Sequence, residues 1–171
     1  MSKFYKVSFE QFKKDYLDCY QYGTDEQIKQ IYDDIKLPER ATKGSAGYDF
    51  YIPRLLVLSP GGTAKIPTGI RARIDAGWML MIYPRSGLGF KYKVQLYNTV
   101  GVIDSDYFNA KNEGHILVKI YNDSPDETKQ LFLDKGDAFV QGIFQPYGIV
   151  EDDNATAERT GGFGSTSNQQ G

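Results

Sequence analysis

The sequence predicts an all-β domain, an antiparallel sandwich or barrel, with a short helical segment before it and a flexible segment after it. Three observations support this. Residues 37–150 hold short apolar or alternating runs separated by turn residues, a pattern typical of many short strands. Residues 1–36 instead carry apolar side chains at helical intervals, and residues 151–171 are mostly polar. We therefore expect a helical extension over 1–36, a β core over 37–150 and a flexible arm over 151–171.

The extension is predicted to form two short amphipathic helices that are broken at Gly23. Ser8 and Thr24 each precede a glutamine by three positions, the spacing of a capping box at a helix start. Apolar residues follow each cap at helical spacing: Phe9, Phe12, Tyr16 and Tyr20, then Ile28, Ile31, Tyr32 and Ile35. The second run is short enough to be an edge strand instead. We favour packing on the core over partner binding as the role of the extension.

The β core is predicted from four runs. Residues 69–74 alternate between apolar side chains and arginines, which indicates one buried face. Residues 78–83 are continuously apolar, which is typical of a strand buried on both faces. Residues 116–121 alternate weakly, and residues 139–144 resemble a late core strand. Turn residues separate the runs, at 60–62, 75–77, 122–125 and 135–137.

Composition excludes several kinds of chemistry. A net charge of −2 gives no general attraction to nucleic acid or anionic membranes, and no run is long enough to span a bilayer. The first residues lack an apolar signal-peptide core, so we expect a cytoplasmic protein. With Cys19 and His115 the only residues of their kinds, multi-histidine and thiolate metal sites are excluded. We expect Cys19 to be a plain, partly buried thiol and chemistry to use carboxylates, arginines, hydroxyls and amides.

Four polar clusters fit that chemistry. Gly44–Asp49 places an acid at the start of a β run, and Arg85–Gly87 offers a guanidinium, a hydroxyl and amides in a glycine loop. Residues 98–107 indicate a hairpin that holds Asp104 and Asp106, and the arm adds an arginine followed by glycines and hydroxyls. Guanidinium groups and glycine amides bind phosphate oxygens, and carboxylates hold hydrated magnesium or orient water. Each cluster alone is common in β proteins, but together they favour a polyphosphate site.

The chain resembles the trimeric dUTPase family, whose five ordered motifs match residues 41–49, 84–89, 98–107, 136–141 and 159–166. The resemblance implies an antiparallel jelly-roll-like β-barrel. It also implies an enzyme that hydrolyses dUTP to dUMP and pyrophosphate with Mg²⁺, as a homotrimer whose subunits share active sites. No nucleic acid or membrane partner is implied.

The resemblance assigns roles at the phosphates. Asp104 would deprotonate the water that attacks the α-phosphorus, and Asp49 would reach the magnesium through water. Gln141 would contact the α-phosphate region. The phosphates would be held by Arg85, Ser86 and Gly87.

The resemblance also assigns roles at the nucleoside and in the arm. Asn98 and the backbone of Val102 and Ile103 would read the uracil edge. Tyr107 would stack under the deoxyribose and leave no room for a 2′-hydroxyl. Phe163 would cover the uracil ring. The arm would also bind substrate through Arg159, Gly164, Ser165 and Thr166. Of these, the arginine and the two hydroxyl side chains would close on the γ-phosphate.

The chain departs from the family pattern in two places. Ala138 stands where the fourth motif commonly has an arginine, so the stabilisation by that arginine is either absent or supplied elsewhere, with Arg71 or Arg73 as candidates. Residues 108–113 form an insertion after Tyr107, at whose end we expect His115 to have a surface or packing role.

Two alternative functions follow from the same residues. dCTP deaminases resemble dUTPases, but Lys119 stands where their general-base glutamate would be, and a lysine cannot relay protons in the same manner. A regulatory role beside the enzymatic one is the second alternative, since some phage-type members bind regulatory proteins. The insertion and the extension would be the surfaces for such a partner.

Overall fold

The structure, a computed structural model, describes residues 1–157, 159 and 161. Its helices are α1 Phe9–Tyr20, α2 Asp25–Asp33, α3 Ser86–Tyr92 and a 3-10 helix Ser105–Asn109. Its strands are β1 Lys3–Lys6, β2 Glu39–Arg40, β3 Tyr48–Tyr51, β4 Leu56–Leu58, β5 Thr63–Pro67, β6 Ile70–Arg73, β7 Trp78–Pro84, β8 Val94–Leu96, β9 Gly101–Ile103, β10 Leu117–Asn122, β11 Leu131–Leu133 and β12 Ala138–Pro146.

The strands form antiparallel sheets throughout. A five-stranded sheet has the order β2-β3-β12-β7-β9, and a three-stranded sheet has the order β5-β10-β8. The pairs β1-β6 and β4-β11 complete the fold. The four predicted strands correspond to β6, β7, β10 and β12, so the prediction of an antiparallel all-β core is confirmed.

The core lies between these sheets and is built from the inward faces of β3, β7, β10 and β12. Phe50, Leu80, Ile120 and Phe139 are each at most 1% exposed. The prediction that β7 is buried on both faces is wrong for the single chain. Leu80 and Ile82 are buried, whereas Trp78 is exposed and the residues between them are half-buried. A continuous apolar run therefore does not fix burial, because an outer face can keep apolar side chains.

The extension forms both predicted helices, so the edge-strand alternative for the second is wrong. The capping box at Thr24 is complete, with reciprocal bonds to Gln27. At Ser8 only half the box forms: its hydroxyl accepts from the Gln11 amide, but its own amide donates to Glu113 instead. Strand β1, which was not predicted, pairs with β6 and attaches the extension to the core.

Two local predictions about the site segments are wrong. The Arg85–Gly87 segment is not a glycine loop, because α3 begins at Ser86 and continues through two glycines. Residues 98–107 are not a hairpin, because β8 pairs with β10 while β9 pairs with β7. The turn between them joins strands of different sheets, so sheet pairing overrides the local turn pattern.

The described residues include no helix with the length and apolar character needed to cross a membrane.

Candidate functional site

Three predicted site residues meet across the five-stranded sheet. Asp49 of β3 lies opposite Gln141 of β12, which lies opposite Tyr83 of β7 on its other side. The Arg85 Nε is 3.2 Å from the Asp49 Oδ1. The Gln141 side chain donates to the carbonyl of Pro84 at 3.3 Å. The sheet therefore joins an acid, an amide and a guanidinium from the first, fourth and second motifs.

The loop before Asp49 needs a glycine to approach this group. A β-carbon at Gly47 would lie 2.3 Å from the Gln141 Oε1, a distance at which the amide would have to move. A larger residue at Gly47 would therefore displace the Gln141 side chain, so the first and fourth motifs depend on each other through this contact.

Arg85 and Ser86 line an open cleft of about 440 Å³ at the start of α3. Gly87 follows as the second residue of that helix, and a β-carbon there would meet nothing within 4 Å. This open space beside a guanidinium and a hydroxyl is suited to a large anion such as a phosphate chain.

A separate pocket of about 340 Å³ lies at β9 and β10. Asn98, Val102 and Ile103 line it, together with Tyr97 and Lys119. The Lys119 ammonium lies 3.7 Å from the centroid of the Tyr97 ring, so the lysine is held at the pocket by a cation–π contact. The pocket thus holds the residues predicted to read the base, and its size and mixed lining are typical of a small-molecule site.

Asp104, Asp106 and Arg159 form a third group. The Arg159 Nη2 is 2.5 Å from the Asp104 Oδ2, and its Nε is 2.8 Å from the Asp106 Oδ1. Both carboxylates are about half exposed, at 52% and 54%, whereas the arginine side chain is only 17% exposed. The guanidinium also lies 5.8 Å from the centroid of the buried Tyr107 ring. The third motif and the arginine of the arm are therefore in direct contact.

The group of Asp49 and Arg85 lies towards one end of β7, and the group of Asp104 and Arg159 lies towards the other. Ile103 pairs with Leu80, and β9 runs antiparallel to β7, so Asp104 continues towards the start of β7. Arg85 lies beyond the other end of β7, five positions past Leu80. At the rise of an extended strand this is about 16 Å. The backbones of Asp104 and Arg85 in one chain therefore lie well apart along β7.

The remaining predicted site residues, Phe163, Gly164, Ser165 and Thr166, lie outside the described residues. Of the arm residues that are predicted to bind substrate, only Arg159 is among the described residues.

Arg71 and Arg73 are engaged in other contacts. Arg71 donates to the carbonyl of Phe108, and its guanidinium lies 3.7 Å from the centroid of the Phe108 ring. Arg73 donates to the carbonyl of Met1 at 3.5 Å. Both arginines thus bind the insertion or the N-terminus, and neither contacts a site residue described above. In the described chain, neither supplies the arginine that Ala138 replaces.

The structure shows one connection that sequence reasoning missed. His115 is fully buried and its ring is bonded to Asp15 of α1, one hundred positions away. Since Asp15 lies on the polar side of a helical repeat, no local pattern distinguishes it from a solvated acid. The expected packing role of His115 is present, but its buried acidic partner had no signal in the sequence.

The donor set fits magnesium held mainly by phosphate. Within the part of the chain that the structure describes, no group of three or more His, Cys, Asp or Glu side chains could hold a metal ion. Mg²⁺ commonly keeps several waters and binds one or two carboxylates plus substrate phosphates. Asp49, a single carboxylate beside the phosphate-sized cleft of Arg85, fits that mode of binding.

Comparisons with known proteins agree on one family. A family model described as dUTPase matches residues 33–167. The deoxyuridine 5′-triphosphate nucleotidohydrolase of Lactococcus lactis is 42% identical over 135 residues, which cover 77% of this chain and 88% of the relative. The enzyme of the same name from Psychromonas ingrahamii is 40% identical over 139 residues, 77% of this chain and 87% of the relative.

Solved structures show the same fold. The crystal structure of dUTPase from Streptococcus mutans is 30% identical, with a TM-score of 0.61, and the match covers 86% of this chain and 98% of that one. The dUTPase from phage phi11 of S. aureus has a TM-score of 0.62 over 92% of this chain and 97% of its own. At 19% identity it supports the fold alone.

Proposed function

The chain belongs to the dUTPase family, and from that premise we propose that it hydrolyses dUTP to dUMP and pyrophosphate. This activity would limit uracil in DNA and supply dUMP for dTMP synthesis. The observation that carries the proposal is the contact of Asp104 with Arg159 beside Tyr107. It brings an accessible carboxylate, a phosphate-binding cation and an aromatic ring together within the region that the family model matches.

Asp104 acts as the general base in this proposal. Its carboxylate immediately precedes the 3-10 helix and is half exposed, so a water molecule can reach it. Asp104 takes a proton from that water while the water oxygen bonds to the α-phosphorus. The bond from the α-phosphorus to the oxygen that bridges to the β-phosphorus breaks, and pyrophosphate leaves. General-base help of this kind contributes roughly 10² to 10⁴ in rate.

Arg159 has to leave Asp104 before that step. The Arg159 Nη2 donates to the Asp104 Oδ2, so the arginine competes with the attacking water for this carboxylate. The γ-phosphate carries more negative charge than a carboxylate and binds a guanidinium through paired hydrogen bonds. We expect the triphosphate to draw Arg159 away from Asp104 and Asp106, which frees the base when the correct substrate is bound. A nucleoside monophosphate has no γ-phosphate with which to make this exchange.

Arg85, Ser86 and Gly87 hold the phosphates in this proposal, and Gln141 contacts the α-phosphate region. Arg85 would exchange its partner Asp49 for phosphate oxygens, as Arg159 exchanges Asp104. Asp49 would then face a bound Mg²⁺ through water. When bound, Mg²⁺ would neutralise phosphate charge and so ease nucleophilic attack.

The pocket of Asn98, Val102 and Ile103 takes the uracil in this proposal, and Tyr107 takes the deoxyribose. Backbone groups supply the donor and acceptor pattern of uracil without a histidine. Lys119 lines the same pocket with its ammonium on the Tyr97 ring. A cation held in this way does not supply the general-base carboxylate of a deaminase, which favours hydrolysis over deamination.

We further propose a homotrimer with shared active sites. The separation of about 16 Å between the Asp104 end of β7 and Arg85 supports this, because two side chains so far apart along one strand contact the same phosphate more readily when they come from different chains. Mixing of subunits tests it. Asp104→Asn and Arg85→Ala should each lack turnover alone, whereas mixed assemblies should regain part of it, because some sites would take Asp104 and Arg85 from different intact copies. Absence of recovery in verified mixed assemblies would contradict shared sites.

A regulatory protein partner remains a separate prediction, and the contacts favour an intramolecular role for its candidate surfaces. The insertion is held by Arg71 through Phe108 and by Ser8 through Glu113. Phage dUTPases of Staphylococcus bacteriophage 80alpha are described as controlling transfer of virulence genes, at 18–22% identity to this chain. Deletion of residues 108–113 followed by a pull-down tests the prediction, and unchanged partner recovery would remove the insertion from consideration.

The activity itself is tested with the purified chain, dUTP and Mg²⁺. Pyrophosphate should be released, and release should stop on addition of EDTA and resume when Mg²⁺ is restored in excess. Turnover that continues unchanged in EDTA would contradict the assigned role of magnesium.

A further inference from the structure

His115 connects the extension to the core through both ring nitrogens. The amide of Gly69 donates to Nε2 at 2.8 Å, which makes Nε2 the acceptor and assigns the ring proton to Nδ1. Nδ1 then donates to the Asp15 carboxylate of α1 at 2.5 Å. Burial would raise the pKa of Asp15, but hydrogen bonds from His115 and Gln11 outweigh it and lower that pKa. Asp15 is therefore a charged, mostly buried partner that fixes the His115 ring.

The backbone of His115 in turn fixes Tyr107. The Tyr107 hydroxyl donates to the His115 carbonyl at 2.9 Å, and the Asn112 amide donates to the same hydroxyl at 2.8 Å. Gly114 has a φ of 68°, and a β-carbon there would lie 2.6 Å from the Tyr107 carbonyl oxygen. The turn that carries His115 thus packs directly on both ends of Tyr107. A shift of His115 would move the hydroxyl and the backbone of this tyrosine together.

The extension holds the same segment at a second point. The amide and hydroxyl of Ser8, the N-cap of α1, donate to the two Glu113 carboxylate oxygens at 2.8 and 2.6 Å. The Tyr5 ring lies 5.7 Å from the Phe108 ring. Helix α1 is therefore attached to the segment after Tyr107 by one buried hydrogen bond from His115 to the Asp15 carboxylate and by one bidentate contact. Charge-assisted hydrogen bonds of this kind are the strong ones in proteins.

We propose that the extension positions Tyr107 through Asp15–His115 and Ser8–Glu113, and that it thereby sets how strictly the site distinguishes deoxyribose from ribose. Asp15 and His115 are positioning residues, since neither contacts the substrate in the proposed site. The inference rests on the proposed function, which assigns Tyr107 to the sugar. Residues 1–32 lie outside the region that the family model matches, so this device is an addition to the matched region.

The test compares Asp15→Asn and Ser8→Ala with wild type, using kcat and KM for dUTP and for UTP. Asp25→Asn is the matched control, because Asp25 makes an exposed ion pair with Lys13 of α1 at 2.6 Å and, among the described residues, has no bond to the Tyr107 segment. The two positioning variants should lower the dUTP-to-UTP ratio of kcat/KM by about 3- to 10-fold, mainly through a higher KM for dUTP. The control should keep the wild-type ratio.

The design separates positioning from loss of folded protein. A smaller folded fraction lowers kcat for both substrates equally and leaves KM and the ratio unchanged. If Asp15→Asn does not fold, Ser8→Ala carries the test, because position 8 keeps its backbone bond to Glu113 and loses only the two hydroxyl bonds, to Glu113 and to the Gln11 amide. If the variants are active and keep the wild-type dUTP-to-UTP ratio of kcat/KM, the positioning role of the extension is overturned and the proposed function is not affected. A wild-type chain without dUTP turnover would instead overturn the proposed function.

Discussion

The guanidinium of Arg159 lies 2.5 Å from the carboxylate of Asp104, so the arginine proposed to bind phosphate contacts the proposed general base. A second bond to Asp106 at 2.8 Å and a position over the Tyr107 ring complete the contact. The proposed mechanism therefore begins with an exchange of ion pairs. Substitution of Asp104 and substitution of Arg159 each test one partner of the ion pair that is exchanged.

Replacement of Asp104 by asparagine should remove the proton acceptor and retain the size and shape of the side chain. Turnover should fall by roughly 10² to 10⁴, because the proton of the attacking water then has no acceptor. Binding of a non-hydrolysable dUTP analogue, measured by calorimetry, should remain close to wild type. Asp106→Asn is the matched control: it also removes a negative charge beside Arg159 but should keep most of the turnover. Equal losses of binding and turnover in Asp104→Asn would show that Asp104 is not mainly a base.

Replacement of Arg159 by glutamine should weaken binding of the triphosphate selectively. A hydrogen bond between charged groups contributes about 1.5 to 3 kcal/mol, so affinity for the dUTP analogue should fall about 10- to 100-fold. Affinity for dUMP, which has no γ-phosphate, should stay within about 2-fold of wild type. Calorimetric titration with both ligands measures the difference. A loss of the same size for both ligands would place Arg159 at the nucleoside or α-phosphate instead.

The sequence predicted elements wherever a local period coincided with burial. Residues 70–73 alternate and have alternating burial, and Thr24 with Gln27 makes the complete capping box that its spacing indicates. The prediction from sequence was wrong where a residue far away in the chain determines the local conformation. Ser8 gives its amide to Glu113, 105 positions away, and β8 pairs with β10 rather than with β9. This hydrogen bond and this strand pairing depend on tertiary contacts between residues far apart in the chain, so no short stretch of sequence predicts them.

The residues of the site could be predicted from the sequence, but the long-range contacts between them could not. The family resemblance identified Asp49, Arg85 and Gln141, which the sheet register then brings together. The bond of Asp104 to Arg159 joins residues that motif order alone does not place in contact. Long-range pairing of single polar residues leaves no periodic trace, because each partner alone has the pattern of a solvated surface residue.

Acid stability should depend on Asp15. Burial opposes its ionisation, but bonds from His115 and Gln11 lower its pKa in the folded chain. A depressed folded-state pKa contributes stability above the unfolded pKa, about 3.9 for aspartate, and that contribution is lost as pH falls through the folded value. Asp15→Asn should therefore be less stable than wild type at pH 7, and the difference should narrow below about pH 4. Urea midpoints for both proteins, with Asp25→Asn as control, measure this; a pH-independent difference would contradict it.

Cys19 should react slowly with thiol reagents. Burial raises the pKa of its thiol to about 11. At pH 8 only about one molecule in a thousand would carry the reactive thiolate. Labelling with a disulfide reagent should thus be far slower in the native chain than in the same chain unfolded in urea, which serves as the control. Native labelling at the unfolded rate would show that Cys19 is exposed or activated.

The most direct test of the proposed activity is pyrophosphate release with Mg²⁺ from dUTP, dTTP, dCTP and UTP, each supplied separately at the same concentration. The account predicts strong release from dUTP alone, because the pocket of Asn98 and Val102 selects uracil and Tyr107 excludes the ribose. Release from none of the four, or comparable release from all of them, would contradict a uracil-specific dUTP hydrolase.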